Sequence, residues 1–516
     1  MLKVLKSNRI TILKILAAFL FPAVLCLCYC LFRGVSIGDL YVPNSHNNDS
    51  LLYYKQIDGI LKSGLPRGFY GYDESRAPIG TLGAWVPSLY IPWVIWGLCA
   101  GWTYTSSLVF NVVLMSVAMA LFAALTDIDF KKLAIIFVAF LIYPSVPVHL
   151  LNVLPEAMVI SLGIVYLAIA IRCCNKGAST AGIVWLWVIA AFLTLGRPYM
   201  IIFMFLPCFF SIKRNAKRGI IGSVIIIAVS LFGYFWLSKH MTGKYYEPAF
   251  RLDFLDKIKE GYWEEAAWIL YYQIKGMLKG IGDFLKDAFS YGFSAGVNYF
   301  IAMLVIPILT VKFFDKRNSK IRPVIGFISV GTLAMLEAIV FLLQKTNEGG
   351  RHILLWAILG IMTCAYGEWS KKDAVLSSII IAFLIVFVAR GSMRPTDYGL
   401  PVRQQNTVES VEYWKGIADQ GLIEVSDTIG YENTIIWAFI DYVDDNQIVM
   451  DFSGLFAMPA DAGINCCFPD YLINNFDNLK SRYIMADSRG KVAALCAEKG
   501  LKVVGEHENV IMYQRY

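Results

Sequence analysis

Residues 219–238 read GIIGSVIIIAVSLFGYFWLS, twenty positions without a charge, bounded by Lys217-Arg218 before and Lys239-His240 after. A soluble amphipathic helix carries a polar face, and this stretch has none. At about 1.5 Å of rise per residue it matches a hydrocarbon core of roughly 30 Å. Residues 375–389, VLSSIIIAFLIVFVA, read the same way. Between Thr11 and Arg390 such runs recur, so the chain is predicted to cross a bilayer many times.

Composition agrees. Of 516 residues, 57% are hydrophobic and 16% charged, against about 25% charged in soluble domains. The net charge of +7 divides unevenly. From Gly391 to Tyr516, 10 Lys or Arg stand against 18 Asp or Glu, a net of −8, which leaves the preceding residues at +15. The excess of lysine and arginine lies between the apolar runs, where it orients spans. An acidic tail repels phosphate backbones, so no nucleic-acid partner is expected. The eleven cysteines form no Cys/His cluster at metal spacing, which argues against structural zinc.

Loop charge sets the topology. Lys3, Lys6 and Arg9 precede a run at 10–32 that is long for a secretory signal and has no small-residue cleavage site, so an uncleaved first span with a cytoplasmic amino terminus is predicted. A polar loop, 33–87, follows, with an amphipathic helix at 51–61. The apolar stretch 89–100 is short and holds Pro92 and Gly97; an interfacial or re-entrant helix suits it. Spans follow at 104–125 and near Ala139, Gly163, Ile189, Phe205, Val229, Val305, Leu333, Ile358 and Leu384, about eleven in all. Five loops are then basic and internal, carrying Lys131-Lys132, Arg172 with Lys176, Lys213-Arg214 with Lys217-Arg218, the 312–322 cluster, and Lys371-Lys372. The loops 33–87, 144–155, 239–298 and 344–352 and the tail fall on the outer side. Two helices lying on the membrane surface or over a cavity are expected at 254–268 and 271–288, interrupted at Gly276, Gly280 and Gly282. The resulting fold class is a polytopic α-helical membrane module, 1–390, with a C-terminal extracytoplasmic α/β domain, 391–516. In that domain helices are predicted at 407–420 and 491–499, and strands at 447–450, 483–486, 501–505 and 510–513.

Ionisable residues at the outer ends of apolar segments are costly to keep without a task. Asp49 precedes the amphipathic helix, where it could equally serve as a cap. Glu74 and Arg76, beside Asp73, form a loop cluster that is either a salt bridge or part of a substrate pocket. Glu156 follows Pro155 at a helix start, a position that dipole electrostatics alone explains. The functional alternative makes Asp49 and Glu156 facing carboxylates that hold a divalent cation, Mg or Mn, or divide acid and base duties. Arg197, and Arg351 with His352, sit at headgroup depth on the outer side, where they are either snorkelling anchors or, against the positive-inside tendency, ligands of an anionic lipid phosphate. The loop with Tyr245, Tyr246 and Glu247 could close over an acceptor sugar or equally serve as a membrane-surface anchor.

Asn48-Asp49 followed by Tyr53-Tyr54, Pro155-Glu156, Arg197-Pro198 and Arg351-His352 opening a late span, set in this topology, resemble the GT-C superfamily of polytopic glycosyltransferases. The likeness is to the polyprenyl-phosphate-sugar-dependent type, distantly to protein-mannosyltransferase and aminoarabinose-transferase-like enzymes. It covers the layout of the whole chain. The first-loop Asp-Glu pair of the mannosyltransferase branch is absent, since Ser50 follows Asp49. By position, the resemblance implies that Asp49 is the catalytic base or a metal-associated carboxylate, that Glu156 is the second acid, and that Arg351 holds the lipid phosphate.

The expected activity is transfer of a sugar from a polyprenyl-phosphate-linked donor to a glycan, lipid or protein acceptor in cell-envelope biosynthesis, with inversion at the anomeric carbon. A bacterial cytoplasmic membrane suits the short loops. Two rivals remain at this level. A transporter or flippase of a lipid-linked glycan predicts polar residues deep in several spans and paired halves, and a nonenzymatic assembly scaffold predicts that Asp49 and Glu156 are replaceable.

Overall fold

The structure, a computed structural model, describes residues 2–45, 48–64, 73–74, 87–241, 252–291, 295–343, 346–392, 400–425 and 434–516. The chain opens with α1 (Leu2–Phe32) and the amphipathic α2 (Asn48–Ser63), followed by the ten-residue α3 (Ile91–Ala100) and the apolar α4 (Ser106–Thr126). Trp93 and Gly97 of α3 are buried, Gly97 against Leu61 of α2, while Ile95 and Leu98 face outward. That one-sided burial fits an interfacial helix.

Two of the predicted spans are broken. Where a continuous span is expected near Ala139, α5 (Phe130–Leu141) stops short and Pro144 leads into the six-residue α6 (Ser145–Leu150). Next come α7 (Glu156–Lys176) and α8 (Thr180–Gly196). Near Phe205, a 3-10 turn over Pro198–Met204 precedes α9 (Phe205–Arg214). Proline lacks the N–H that a continuous helix would use. Among the described residues, six helical segments are long and apolar enough to cross a membrane, and three further apolar helices are shorter.

The charge-free run 219–238 lies in α10 (Ala216–Met241), of which only 11% of the most apolar window is buried within the protein. It is a peripheral helix whose side chains face lipid. The short α11 (Asp253–Lys259) is followed by α12 (Trp263–Tyr291), one continuous helix where the sequence predicts interruptions. An interior glycine costs about 1 kcal/mol relative to alanine, too little to break the helix, which packs against α13 (Ala295–Phe314).

Helix α15 (Thr346–Tyr366) packs among α5, α7, α13 and α14 (Arg322–Ala338). Small residues allow the approach. A Cβ on Gly331 of α14 would lie 2.0 Å from Trp356 Cζ3, and one on Gly163 of α7 would lie 2.7 Å from Leu355 Cδ1. The last helix before the tail is α16 (Lys371–Ser392).

The loops predicted to share the basic side do meet at one end of the bundle. Lys132 Nζ donates to Tyr366 O at 2.8 Å, Lys312 Nζ to Glu368 O at 2.7 Å, and Asn175 Nδ2 to the Tyr366 hydroxyl at 2.7 Å.

After α17 (Gln405–Asp419), the tail forms a five-stranded sheet in the order β4-β1-β5-β7-β6. Its strands are β1 (Ile435–Trp437), β4 (Ile464–Cys466), β5 (Tyr483–Asp487), β6 (Lys502–His507) and β7 (Val510–Gln514). β1 runs parallel to β4 and β5, and the β5-β7-β6 edge is antiparallel. A separate ribbon pairs β2 (Ile440–Val443) with β3 (Asn446–Val449). All five residues of β5 are buried, because α18 (Pro469–Asn474) and α19 (Lys491–Glu498) serve one face and α17 with the Ser453–Ala457 turn serves the other.

Candidate active site

The end of the bundle opposite the basic loops gathers residues from four parts of the chain. In α2, Asp49 sits in the first turn, where the helix dipole favours an anion. Tyr53, four residues later, falls on the same face and is fully enclosed, with its ring 5.7 Å from that of Tyr90 and 5.9 Å from that of Trp93. In α7, Glu156 follows Pro155, which begins a helix without loss of a hydrogen bond. Arg197 follows the end of α8 in extended backbone, φ −145 and ψ 110, and Pro198 starts the next turn. Arg351 and His352 lie early in α15.

Two ion pairs organise the site. Arg197 Nη2 donates to Glu156 Oε1 at 2.7 Å, with side chains 3% and 4% exposed. Arg351 Nη1 donates to Asp49 Oδ2 at 2.9 Å, with side chains 26% and 27% exposed. The first pair is sealed and the second is open. Arg351 also lies within electrostatic reach of Glu156. His352 Nδ1 faces the Tyr199 hydroxyl at 2.8 Å and Arg197 Nη1 at 3.2 Å. A guanidinium only donates, so Nδ1 accepts, and His352 is the neutral tautomer protonated at Nε2.

The surrounding polar groups hold the carriers in register. Ser45 Oγ donates to Ser50 Oγ, and Ser50 Oγ to Asn152 Oδ1, both at 2.9 Å, joining the start of α2 to the loop before α7. Asn298 Oδ1 accepts from Tyr143 and Ser145, while its Nδ2 donates to Gly350 O at 2.9 Å, beside Arg351. His149 Nδ1 donates to Ser145 O at 2.8 Å. Burial holds the His149 imidazole below its usual pKa despite the nearby Glu156 charge. Burial likewise pushes the Tyr53 phenol well up, with Tyr90, Asp49 and Glu156 adding to the shift and Arg197 opposing it. Among the described residues, Glu156 Oε2, Ser88 Oγ and Tyr90 Oη are buried without a protein hydrogen-bond partner. Buried polar atoms of this kind call for a ligand or water.

Of the residues expected at the site, Asp49, Glu156, Arg197, Arg351 and His352 come together. Glu74 does not join them. Its carboxylate accepts from the backbone N–H groups of Lys480 and Ser481 and from Ser481 Oγ, and its own N–H donates to Asn465 Oδ1. It fastens the first loop to the tail domain. Arg76, Tyr245 and Tyr246 lie outside the described residues.

The sequence considers Asp49 and Glu156 as a facing pair of metal-holding carboxylates. Each meets a guanidinium instead, and among the described residues no group of three or more His, Cys, Asp and Glu side chains could hold a metal ion. Tyr53, Tyr199, His149, Ser50 and Asn152 had no role assigned from sequence. The four-residue spacing of Tyr53 from Asp49 was a usable signal for the first; His149 carries none.

No protein-family model and no curated protein matches this chain. Among solved structures, ArnT from Cupriavidus metallidurans bound to undecaprenyl phosphate is similar at a TM-score of 0.46 and 11% identity, over 96% of this chain and 97% of that chain. The apo state of the same protein gives 0.48 and 12% over the same shares. Similarity at this level assigns neither a residue role nor a substrate.

Proposed function

We propose that this chain transfers a sugar from a polyprenyl-phosphate donor to a glycan, lipid or protein acceptor on the tail-domain side of a bacterial cytoplasmic membrane. The observation that carries this reading is the convergence of two arginine–carboxylate pairs, one sealed and one open, at the outer end of the bundle.

The difference in exposure divides their duties. Arg351 is the accessible guanidinium, and a donor phosphate competes for it with Asp49, since both ligands are oxyanions. Displacement leaves the Asp49 carboxylate to take the proton of an acceptor hydroxyl while that oxygen bonds to the anomeric carbon. The bond from the anomeric carbon to phosphate oxygen breaks, and its electron pair leaves on the phosphate, stabilised by Arg351. Direct displacement inverts the anomeric configuration. Glu156, closed against Arg197, acts as a holder: it fixes a positive charge and, through it, the orientation of His352. A Mg or Mn ion shared by Asp49 and Glu156 fits this arrangement poorly, because two guanidinium groups face the carboxylates and repel a cation. No step is routed through one.

Protein reconstituted in lipid vesicles with a labelled polyprenyl-phosphate sugar and an acceptor should release polyprenyl phosphate. Asp49→Asn and Arg351→Ala should each reduce turnover by about 100-fold or more, the range for loss of a general base or a charge stabiliser. Full turnover in both folded variants sinks the assignment, and movement of the intact donor between leaflets without bond cleavage supports a carrier instead.

A further inference from the structure

At the basic end of the bundle, away from Asp49 and Arg351, a groove of ≈ 460 Å³ runs between the α9 segment and the start of α14. Its walls are apolar: Ile202, Phe205 and Phe209 on one side, Gly326, Phe327 and Val330 on the other. It opens toward lipid, with Phe205 56% and Val330 61% exposed.

The mouth has the opposite chemistry. Ser319 and Arg322 line it. Arg322 Nε donates to Phe313 O at 2.9 Å and the guanidinium lies 5.6 Å from the Phe313 ring centre, which fixes the side chain there. Arg322 is also the first residue of α14, whose amino end has no side-chain cap, so the positive end of the helix dipole adds to the guanidinium charge. Exposed Lys316, Arg317 and Lys320 precede it, and Lys213 and Arg214 close α9 at the same end.

We propose that this groove is a lipid site: it takes one acyl chain of an anionic phospholipid from the leaflet at the basic end, with the lipid phosphate on Arg322 and the Ser319 hydroxyl. A positive mouth over an apolar slot matches that ligand in both charge and polarity. A neighbouring apolar helix of about 10 Å diameter would leave Arg322 against hydrocarbon. The site is independent of the reaction proposed above and lies at the other end of the molecule.

The test uses full-length, delipidated protein in an uncharged detergent, titrated with phosphatidylglycerol or phosphatidylcholine of identical acyl chains and read by native mass spectrometry. Both lipids carry the phosphate, but phosphatidylcholine's ammonium group cancels its charge and faces the basic mouth, so phosphatidylglycerol should bind about tenfold more tightly. Arg322→Ala should abolish that preference and Arg322→Lys restore most of it, whereas Val330→Trp, which fills the slot, should weaken both lipids. Equal binding of the two lipids to the parent protein overturns the proposal, as does an unchanged preference in Arg322→Ala with a parental unfolding temperature. If Arg322→Ala does not fold, Val330→Trp decides, and unaltered binding there also overturns it.

Discussion

Glu156 and Arg197 sit 41 positions apart and meet where water is excluded, so neither tolerates loss of the other. Removing one member of a buried pair strands the partner's charge, at a cost of about 3–5 kcal/mol. Glu156→Ala should therefore lower the thermal unfolding midpoint in detergent sharply. Asp49→Asn, at the open pair, should leave that midpoint nearly unchanged while removing activity. A measurement in which the two variants lose stability equally would falsify the division between holder and base. The four charged members of these pairs are legible in sequence because each is an ionisable residue at an apolar boundary. Tyr199 and His149 look like ordinary residues there, and only their approach to His352 and Glu156 gives them a place.

The site's geometry comes from where helices stop. Pro144 precedes the short α6 and Pro198 opens the 3-10 turn after α8, and the turn at Arg197-Pro198 brings Arg197 and Tyr199 toward α15. Hydropathy averages over windows and does not register a lost N–H. Helix α15, which carries Arg351 and His352, is set by close packing. The Gly331 contact with Trp356 leaves no room for a side chain. Gly331→Leu should displace Trp356 and cost about 1–3 kcal/mol through overpacking, seen as a lower unfolding midpoint and reduced turnover together. Unchanged turnover despite lost stability would show that α15 can shift without disturbing Arg351. In the tail, the helix predicted at 491–499 and the strands at 483–486, 501–505 and 510–513 correspond to α19, β5, β6 and β7. The three-residue β1 and β4 escape sequence reading because they are too short for a period to emerge.

At the scale of the molecule, the tail domain is clamped onto the first outer loop, so the helix that carries Asp49 is held on two sides. Lys55 of α2 is enclosed and donates to Met458 O at 2.7 Å and Asp58 Oδ2 at 3.1 Å; burial lowers its amine below the ordinary lysine range despite Asp58. Tyr54 packs on Phe456, Glu74 on residues 480–481, and the Asn44 amide donates to Val402 O. Lys55→Met keeps the packed stem but removes the donor from these acceptors, a loss of about 1–3 kcal/mol. Hydrogen–deuterium exchange should rise in both 48–63 and 453–459, with turnover falling in step. Unchanged exchange at 453–459 would mean that this contact does not hold the tail.

The sequence by itself determined the membrane class, the grouping of basic loops at one end, the acidic tail and its better-patterned elements, and the placing of Asp49, Glu156, Arg197 and Arg351 at the other end. These follow from the cost of moving each residue type out of water, which is a property of the chain read in order. Only the tertiary structure decided that Glu156 meets Arg197 and Asp49 meets Arg351, and that Glu74 serves the tail interface. Such pairings depend on how far each helix is rotated about its axis and where proline interrupts it, and those angles are set by packing between segments as many as 407 positions apart.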